Sequence, residues 1–224
     1  LAFPLMVVLR AGGRFGGLGA GALVSIRLGQ RDKEGAELIL GNAVTLMIVL
    51  VLLTTAASLI FLDPLLVLLG ATPAVVPYAR DFSAISLAGS VFMHLSFGIN
   101  NLIRAQGDPH TALKTMLIAA LLNAALNPLF IFGFDMGIKG SAWATVAAQI
   151  VATVWVLAYF IKGTGTMQLK AQNLRLQRKI FSEIARIGMA PFLLQIGAGL
   201  VRVVRKDNVL ADGGGLAVAA LGVV

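Results

Sequence analysis

Four neutral polar residues stand inside long apolar segments of this sequence: Asn100, Asn123, Asn127 and Thr145. Polar groups at membrane depth are costly and usually line a pathway or a cavity. Asn123 and Asn127 are four residues apart and so share one face of a helix. Pro128 follows directly and loosens that helix, because it removes one backbone donor. This set of amides and a hydroxyl predicts a polar cavity.

A plainer interpretation is that these side chains only form hydrogen bonds between neighbouring helices, at about 0.6 kcal/mol each on average. For any one of the four residues both interpretations stay open. As a set spread over three helices they favour a cavity, because packing alone seldom requires paired amides beside a proline. Gln149 lies one helical turn after Thr145, on the same side.

Other charged or titratable groups within the apolar segments receive a structural interpretation. His94 is a lone imidazole, which we expect to be a helix-packing residue rather than part of a proton relay. Arg104 ends its segment, where a long side chain can reach the membrane interface. A central arginine costs about 2.5–3.5 kcal/mol on insertion, so five further cations indicate either a hydrated cleft or an altered sequence: Arg10, Arg14, Arg202, Arg205 and Lys206.

No catalytic motif accompanies the polar set. The sequence has no Gly-rich loop ending in Lys-Ser or Lys-Thr, no paired histidines at metal-ligand spacing and no serine with a positioned base. It has no cysteine, which excludes disulfides, thiolate metal sites and a cysteine nucleophile. We therefore expect no enzyme and no cofactor, and a transporter driven by an ion gradient fits better than an ATP-driven pump.

The composition excludes a soluble globular domain. Hydrophobic residues make up 58% of the chain and charged residues only 12%, where an ordinary soluble domain carries roughly a quarter charged residues. The net charge of +8 does not indicate a nucleic-acid partner, because the basic residues lie in the gaps between apolar blocks rather than on one soluble face. The partner predicted by the composition is the lipid bilayer.

The elements that must position the polar residues are membrane-spanning helices. Apolar blocks of about 20 residues match a hydrocarbon core of roughly 30 Å at a rise of 1.5 Å per residue. A helix stop at Asp63-Pro64 and a turn at 70–77 separate the second block from the third. The predicted spans cover about 1–28, 36–62, 82–103, 112–134 and 138–161, a sixth begins near 187, and residues 216–224 begin another.

Basic residues predict the orientation of these spans. The loops after the first, third and fifth spans hold eleven lysines and arginines, and the alternate loops hold two, Arg80 and Lys139. By the positive-inside rule the eleven face the cytoplasm. The segment 162–186, called the connector below, is too charged to enter the membrane and is predicted to be cytoplasmic. A multi-pass protein of the inner cell membrane is therefore expected.

Two local motifs resemble the multidrug and toxic compound extrusion (MATE) family, in its prokaryotic branch. They are NNLIRAQGDP at 100–109 and NAALNPLFIFG at 123–133. Other stretches, including LLGATPAVVPYARDF and IGMAPFLLQ, also look like this family. The similarity runs over nearly the whole chain and keeps its order and spacing.

The resemblance implies an all-α, polytopic helical bundle that is part of a two-lobe, twelve-helix transporter. Residues 1–161 would be helices two to six of the N-terminal lobe, 162–186 the connector, and 187–224 the start of the C-terminal lobe. The chain, which begins at Leu1 without a Met, is then expected to be a fragment that lacks helix one. The implied activity is secondary active multidrug export by alternating access, as a monomer, with small cationic or amphipathic substrates and a proton or sodium as coupling ion.

The resemblance also implies roles for the polar set. The N-lobe cation site of the family maps onto Asn100, Asn123, Asn127 and Thr145, which would hold sodium if sodium is the coupling ion. Many relatives carry a carboxylate where this sequence has Asn127, which cannot take up a proton. A proton-coupled site would then need the Asp of helix one. The alternative function is a lipid-linked oligosaccharide or lipid flippase, which a cationic cavity lined by Arg10, Arg14, Arg202 and Arg205 would favour, and a non-transporting scaffold is the weakest hypothesis.

Overall fold

The computed structural model describes residues 3–62, 76–194 and 197–198, the side chains of 3–14, 76–79, 81 and 138 excepted. Every regular element within these ranges is helical. Helix α1 covers Phe3–Gly29, α2 Lys33–Ile60, α3 Val76–Ala105, α4 Pro109–Pro128 and α5 Gly137–Ile161. A π-helical turn at Leu129–Gly133 continues α4, a 3-10 turn at Ala171–Leu174 lies in the connector, and α6 covers 178–194.

Two aspartates fix where helices α2 and α4 begin. The Oδ1 atom of Asp32 accepts a hydrogen bond from the backbone N–H of Gly35 at 2.8 Å, and Oδ1 of Asp108 accepts one from Thr111 at 3.0 Å. Each bond satisfies a backbone donor that the first helical turn leaves unpaired. Pro109 stands at the first position of α4, where the missing N–H costs nothing. With Asp32 as its cap, α2 begins three residues earlier than the apolar block alone predicts.

Four of the described helices are long and apolar enough to cross a membrane: Lys33–Ile60, Phe82–Ala105, Pro109–Gly133 and Lys139–Ile161. They correspond to the second to fifth predicted spans. The apolar part of α1 with described side chains, Phe15–Gly29, is shorter. The predicted stop at Asp63-Pro64, the turn at 70–77 and residues 199–224 lie outside the described residues.

Helix α3 lies at the centre of the bundle and packs against α1, α2 and α5. Its Leu87, Ile99, Leu102 and Ile103 are fully buried. The crossing with α1 is close, because a Cβ atom added to Gly17 would lie only 2.7 Å from the Cα atom of Gly98. Small residues permit such close approach in a membrane, where no hydrophobic force drives helices together. Another face of α3 packs against α4 and α5. The predicted polar residues lie where these three helices meet.

Side chains of α2 hold the connector in place through hydrogen bonds to the backbone of the connector. Asn42 accepts from the N–H of Gln177 at 2.6 Å and donates to the carbonyl of Asn173 at 3.2 Å. Thr45 donates to the carbonyl of Leu174 at 2.7 Å. Gly41 lies directly against the backbone of Asn173, which leaves no room for a side chain there. Part of the connector is thus docked on the bundle.

A buried carboxylate makes a second attachment of the connector. Glu37 of α2 is 2% exposed, and its Oε2 atom lies 2.6 Å from the ammonium nitrogen of Lys170. Its Oε1 atom accepts a hydrogen bond from the backbone N–H of Gln168 at 3.1 Å and lies 3.9 Å from the ammonium of Lys33. The hydrogen bond to Glu37 and then its charge raise the pKa of Lys170 above its ordinary value. The pair therefore ties residues 168–170 to the start of α2.

A third attachment joins the end of α5 to the loop before α4. The hydroxyl of Tyr159 donates to Oδ2 of Asp108 at 2.8 Å and accepts from the amide of Gln106 at 2.6 Å. The amide oxygen of Gln106 in turn accepts from the backbone N–H of Met167 at 3.3 Å. Asp108 therefore caps α4 and orients the tyrosine at the same time.

Asp108 makes the stability of this end of the bundle depend on acid pH. Hydrogen bonds from the backbone and side chain of Thr111 are the main cause that lowers its pKa. A carboxyl whose pKa is lowered on folding adds stability above its ordinary pKa of about 3.9, and loses it as the pH falls through the lower folded value. We expect Asp108→Asn to melt close to the wild type at pH 7, because asparagine caps helices about as well.

The distinguishing result comes below about pH 4. There the melting temperature of the wild type should fall more steeply than that of Asp108→Asn. Equal slopes for the two proteins between pH 5 and 3 would show that the cap does not titrate with folding.

Helix α6 begins at residue 178, nine residues before the start near 187 that the apolar pattern predicts. Ile180 and Ile184 of its first turns are buried in the core, while Arg178 and Lys179 are exposed. The charged residues of this stretch interrupt the apolar pattern, so the apolar pattern does not predict the amphipathic start of the helix. The division into lobe, connector and second lobe remains a prediction.

Candidate functional site

Three of the four predicted site residues line one cavity of about 360 Å³ between α3, α4 and α5. This volume lies within the range of ligand sites, roughly 300–1,000 Å³. Asn100 comes from α3, Asn123 from α4 and Thr145 from α5. The full lining is Ser96, Phe97, Asn100, Thr115, Met116, Ala119, Ala120, Asn123, Thr145 and Gln149. All of these residues are uncharged.

Asn100 is buried, with 4% of its surface exposed. Its Oδ1 atom is also buried and has no hydrogen-bond partner within the described part of the chain. Leaving a buried acceptor unsatisfied costs about 1–3 kcal/mol. An oxygen held in that state beside a cavity is available to a cation or to a hydrogen-bond donor of a ligand.

The other three predicted residues form a hydrogen-bonded chain, here called the amide cluster: Asn123, Asn127 and Thr145. The amide of Asn127 donates to Oδ1 of Asn123 at 2.8 Å and to its backbone carbonyl at 3.0 Å. The amide of Asn123 donates to the hydroxyl of Thr145 at 3.0 Å, and that hydroxyl donates to the carbonyl of Ser141. Both N–H groups of the Asn127 amide and one of the Asn123 amide are thus used inside the cluster, and its side-chain oxygens keep lone pairs that can meet a ligand.

Asn127 differs from the other predicted residues because it does not line the cavity. It lies one turn further along α4 and reaches the cavity only through Asn123. The described residues donate no hydrogen bond to its Oδ1 atom. Asn127 therefore orients Asn123 in this structure, and offers its own oxygen outside the lining.

The helix changes its hydrogen-bonding pattern directly after this cluster. Pro128 ends α4 and a π-helical turn follows at Leu129–Gly133. Such turns inside transmembrane helices are frequent at functional sites. The carbonyl of Phe130 accepts from the N–H of Met136 at 3.2 Å, and Gly140 of α5 packs against the same carbonyl. The turn therefore fixes the distance between the ends of α4 and α5 beside the cluster.

Sequence reasoning missed the apolar and hydroxyl part of the lining, namely Ser96, Phe97, Thr115 and Met116. A helical-spacing test would have found two of them. Ser96 is one turn before Asn100, and Thr115 is eight residues before Asn123, so each shares a face with a predicted residue. The signal was weak because isolated hydroxyls in apolar helices usually bond their own backbone, as Thr115 does to Thr111.

The remaining polar groups lie away from the cavity or outside the described residues. His94 is 2% exposed and its Nδ1 atom lies 2.6 Å from the carbonyl of Ser90, whose hydroxyl meets that of Thr55. Arg104 is exposed at the end of α3 and contacts the sulfur of Met116. The side chains of Arg10 and Arg14, and residues Arg202, Arg205 and Lys206, lie outside the described residues.

The cavity lining carries no charged side chain, and sets of three or more His, Cys, Asp or Glu able to hold a metal ion are absent from the described ranges. A cation in the cavity would meet amide and hydroxyl oxygens alone. Hard cations such as sodium are bound by ligands of this kind, whereas proton uptake needs a titratable group elsewhere.

Comparison with known proteins gives consistent matches. A family model described as MatE matches residues 2–129. The multidrug export protein MepA of Staphylococcus aureus (strain NCTC 8325 / PS 47) is 28% identical over 223 residues, which is 100% of this chain and 49% of MepA. The chain thus spans about half the length of the curated relatives it matches.

Solved structures of transporters match the fold closely. The outward-facing conformation of a multidrug resistance MATE family transporter of the MOP superfamily matches 98% of this chain and 49% of its own, with 26% identity and a TM-score of 0.90. The inward-facing conformation of such a transporter matches with 25% identity and a TM-score of 0.89, over 98% of this chain and 50% of its own. The predicted all-α transmembrane bundle is confirmed, as is the predicted family, and the matches are to transporters rather than enzymes. This chain is a multi-pass helical membrane protein that belongs to the MatE family.

Proposed function

We propose that this chain forms part of a secondary active multidrug exporter, a cation antiporter that works by alternating access. The observation that carries the proposal is the cavity between α3, α4 and α5, where the unpartnered Oδ1 of Asn100 and the amide cluster offer only neutral oxygens. The export of drugs by MepA, stated in its name, supports the same activity here.

Alternating access is supported by the two structural matches. The chain is as similar to half of an outward-facing transporter as to half of an inward-facing one, with TM-scores of 0.90 and 0.89. Similarity to transporters in both states is what is expected if most of this part of the protein moves as one body while access changes between halves. Rocking of one bundle against another around a fixed site is the general form of this mechanism.

In the proposed cycle the coupling ion and the drug compete. Sodium binds at the oxygens of Asn100 and the amide cluster, whereas a proton binds at a titratable group elsewhere, such as the helix-one Asp that the family resemblance implies. Binding of the ion changes the packing of α4 beside the π-helical turn and displaces the drug toward the outside. The connector lies on the cytoplasmic side in this arrangement, and the protein functions as a monomer in the inner cell membrane.

The flippase alternative predicts a cationic cavity. The cavity described here is lined by uncharged residues, and the four arginines on which the alternative rests lie outside the described residues. No observation therefore favours it.

Efflux from vesicles tests the proposal. Proteoliposomes that contain the complete protein, of which this chain forms part, are loaded with ethidium, and a pH gradient or a sodium gradient is imposed in separate experiments. We expect transport against the ethidium gradient with at least one of the two ions, and none after the gradient is collapsed. Transport that depends on ATP instead of either gradient would contradict the proposal.

A further inference from the structure

The connector presents a surface of mixed basic and apolar side chains, here called the basic surface. It consists of Leu174, Arg175, Leu176, Arg178, Lys179 and Phe181. The three apolar members are exposed by 37%, 44% and 39%, in chain order. Arg175, Arg178 and Lys179 are exposed, and no ion pair joins them to any other described residue.

The hydrogen bonds to α2 fix the height of this surface relative to the bilayer. Helix α2 has 28 residues, or about 42 Å at 1.5 Å per residue, whereas the hydrocarbon core is roughly 30 Å thick. About 12 Å of the helix must therefore stand outside the core. This excess lies at its charged beginning, because the helix stays apolar up to Ile60.

The residues of α2 that bond the connector lie close to the edge of the hydrocarbon core. Asn42 is nine residues after Lys33, or about 13 Å along the helix, and Thr45 is about 18 Å along it. These two side chains hold the backbone of residues 173, 174 and 177. The basic surface is therefore held at the level where phospholipid headgroups meet acyl chains.

The side chains of the basic surface suit the boundary between headgroups and acyl chains. Arginine and lysine pair with phosphate groups there while their stems and neighbouring apolar side chains cover acyl-chain ends. Basic residues beside a membrane span attract anionic lipids. Arg178 and Phe181 are three residues apart at the start of α6, so the helix presents a cation and an aromatic ring on one face.

We propose that the basic surface binds the headgroups of anionic phospholipids in the adjacent leaflet, with Leu174, Leu176 and Phe181 inserted among the first acyl carbons. The docked connector then also serves as a lipid anchor at the membrane surface. This interaction needs membrane insertion but no transport activity, so it stands or falls separately from the proposed export.

Native mass spectrometry of the detergent-purified protein tests the proposal, with phosphatidylglycerol and phosphatidylcholine as the lipids titrated. The test variant is Arg175→Gln/Arg178→Gln/Lys179→Gln. The matched control, Arg31→Gln/Arg104→Gln/Lys114→Gln, removes the same charge from other basic loops on the same predicted side, so a larger loss in the test variant belongs to the basic surface and not to charge in general. Each basic side chain near anionic lipid is worth about fivefold in affinity.

We therefore expect the test variant to lose phosphatidylglycerol affinity by about tenfold or more, with a much smaller loss in the control and little change for phosphatidylcholine. An equal loss in the two variants, or no preference of the wild type for phosphatidylglycerol, would overturn the proposal. The latter result would indicate that another part of the protein covers these cations.

A depth measurement gives a second, independent readout. Because the chain has no cysteine, Leu176→Cys can be labelled alone with a fluorophore and reconstituted in vesicles with lipids that carry a nitroxide near the headgroup. Strong quenching is expected for this position, and weak quenching for the control Leu53→Cys, which is exposed near the middle of the predicted α2 span and can be labelled in the same way. Quenching at position 176 no stronger than at position 53 would place the surface away from the headgroups.

Discussion

Replacing Asn123 and Asn127 together by alanine should reduce gradient-driven efflux to background while the bundle stays folded. The double substitution removes Asn123, whose amide donates to the hydroxyl of Thr145 and which lines the cavity, and Asn127, which orients Asn123. A hydrogen bond to a charged group is worth about 1.5–3 kcal/mol, so the loss of even one contact weakens cation binding by about tenfold or more. Efflux of ethidium from proteoliposomes under the coupling gradient measures the effect.

The control for this experiment is Asn101→Ala. Asn101 is adjacent to Asn100, but its side chain faces Gly17 of α1 rather than the cavity. It should transport normally, and all variants should give similar unfolding midpoints, because hydrogen bonds between membrane helices contribute only about 0.6 kcal/mol each. Unchanged efflux in the double variant would sink the site assignment.

The second large effect is expected from Lys170→Ala, which should lower the melting temperature by roughly 5 °C or more. Glu37 is buried, and this change leaves its carboxylate without the ammonium that lies 2.6 Å away. Glu37→Gln should be milder, because glutamine still accepts from the N–H of Gln168, and Lys170 is exposed enough to be solvated. Removing one partner of a buried pair is the damaging step, not removing the pair.

The double variant Lys170→Ala/Glu37→Gln distinguishes this account from simple loss of contacts. It should melt above Lys170→Ala alone, since it no longer holds a buried carboxylate that has lost its nearest cation. If the losses of the two single variants instead add up, the carboxylate is not the source of the effect. The pair also makes stability fall at high pH, because the pKa of Lys170 is raised in the folded state and its contribution is lost as the pH passes that value.

Much of the fold could be predicted from apolar blocks, for a physical reason. A membrane helix must satisfy every backbone polar group internally, so an apolar run of about 20 residues has few other structures open to it. The fifth span was expected at 138–161 and the helix covers Gly137–Ile161. Helix ends were less accurate, since caps such as Asp32 extend α2 beyond its apolar block.

The connector shows where this reasoning fails. Its charge predicts a segment outside the hydrocarbon, but charge does not say where such a segment docks. Asn42 and Glu37 stand at the start of an apolar helix, where the sequence pattern assigns them no role, yet both are buried because the connector covers them. Their partners are more than 120 residues away in sequence, and no local pattern encodes such a pairing.

For the candidate site, residue type and spacing predicted which residues lie near one another but not how they are joined. Asn123 and Asn127 were expected to share a face and do so, bonded at 2.8 Å. That Asn127 orients Asn123 instead of lining the cavity depends on side-chain geometry beside the π-helical turn. The unpartnered oxygen of Asn100 depends in turn on how closely α3 packs against its neighbours.

The central claim is that the coupling ion and the drug compete at the cavity between α3, α4 and α5. Antiport through one site requires each ligand to weaken binding of the other by the same factor. Ethidium binding to the purified, reconstituted protein, followed by fluorescence anisotropy while sodium or proton concentration is raised, measures that factor directly. We predict that one of the two ions weakens ethidium binding several-fold in the wild type, and that this dependence is lost in Asn123→Ala/Asn127→Ala. Ethidium affinity that is independent of both ions, or an ion dependence that survives in the double variant, would contradict the claim.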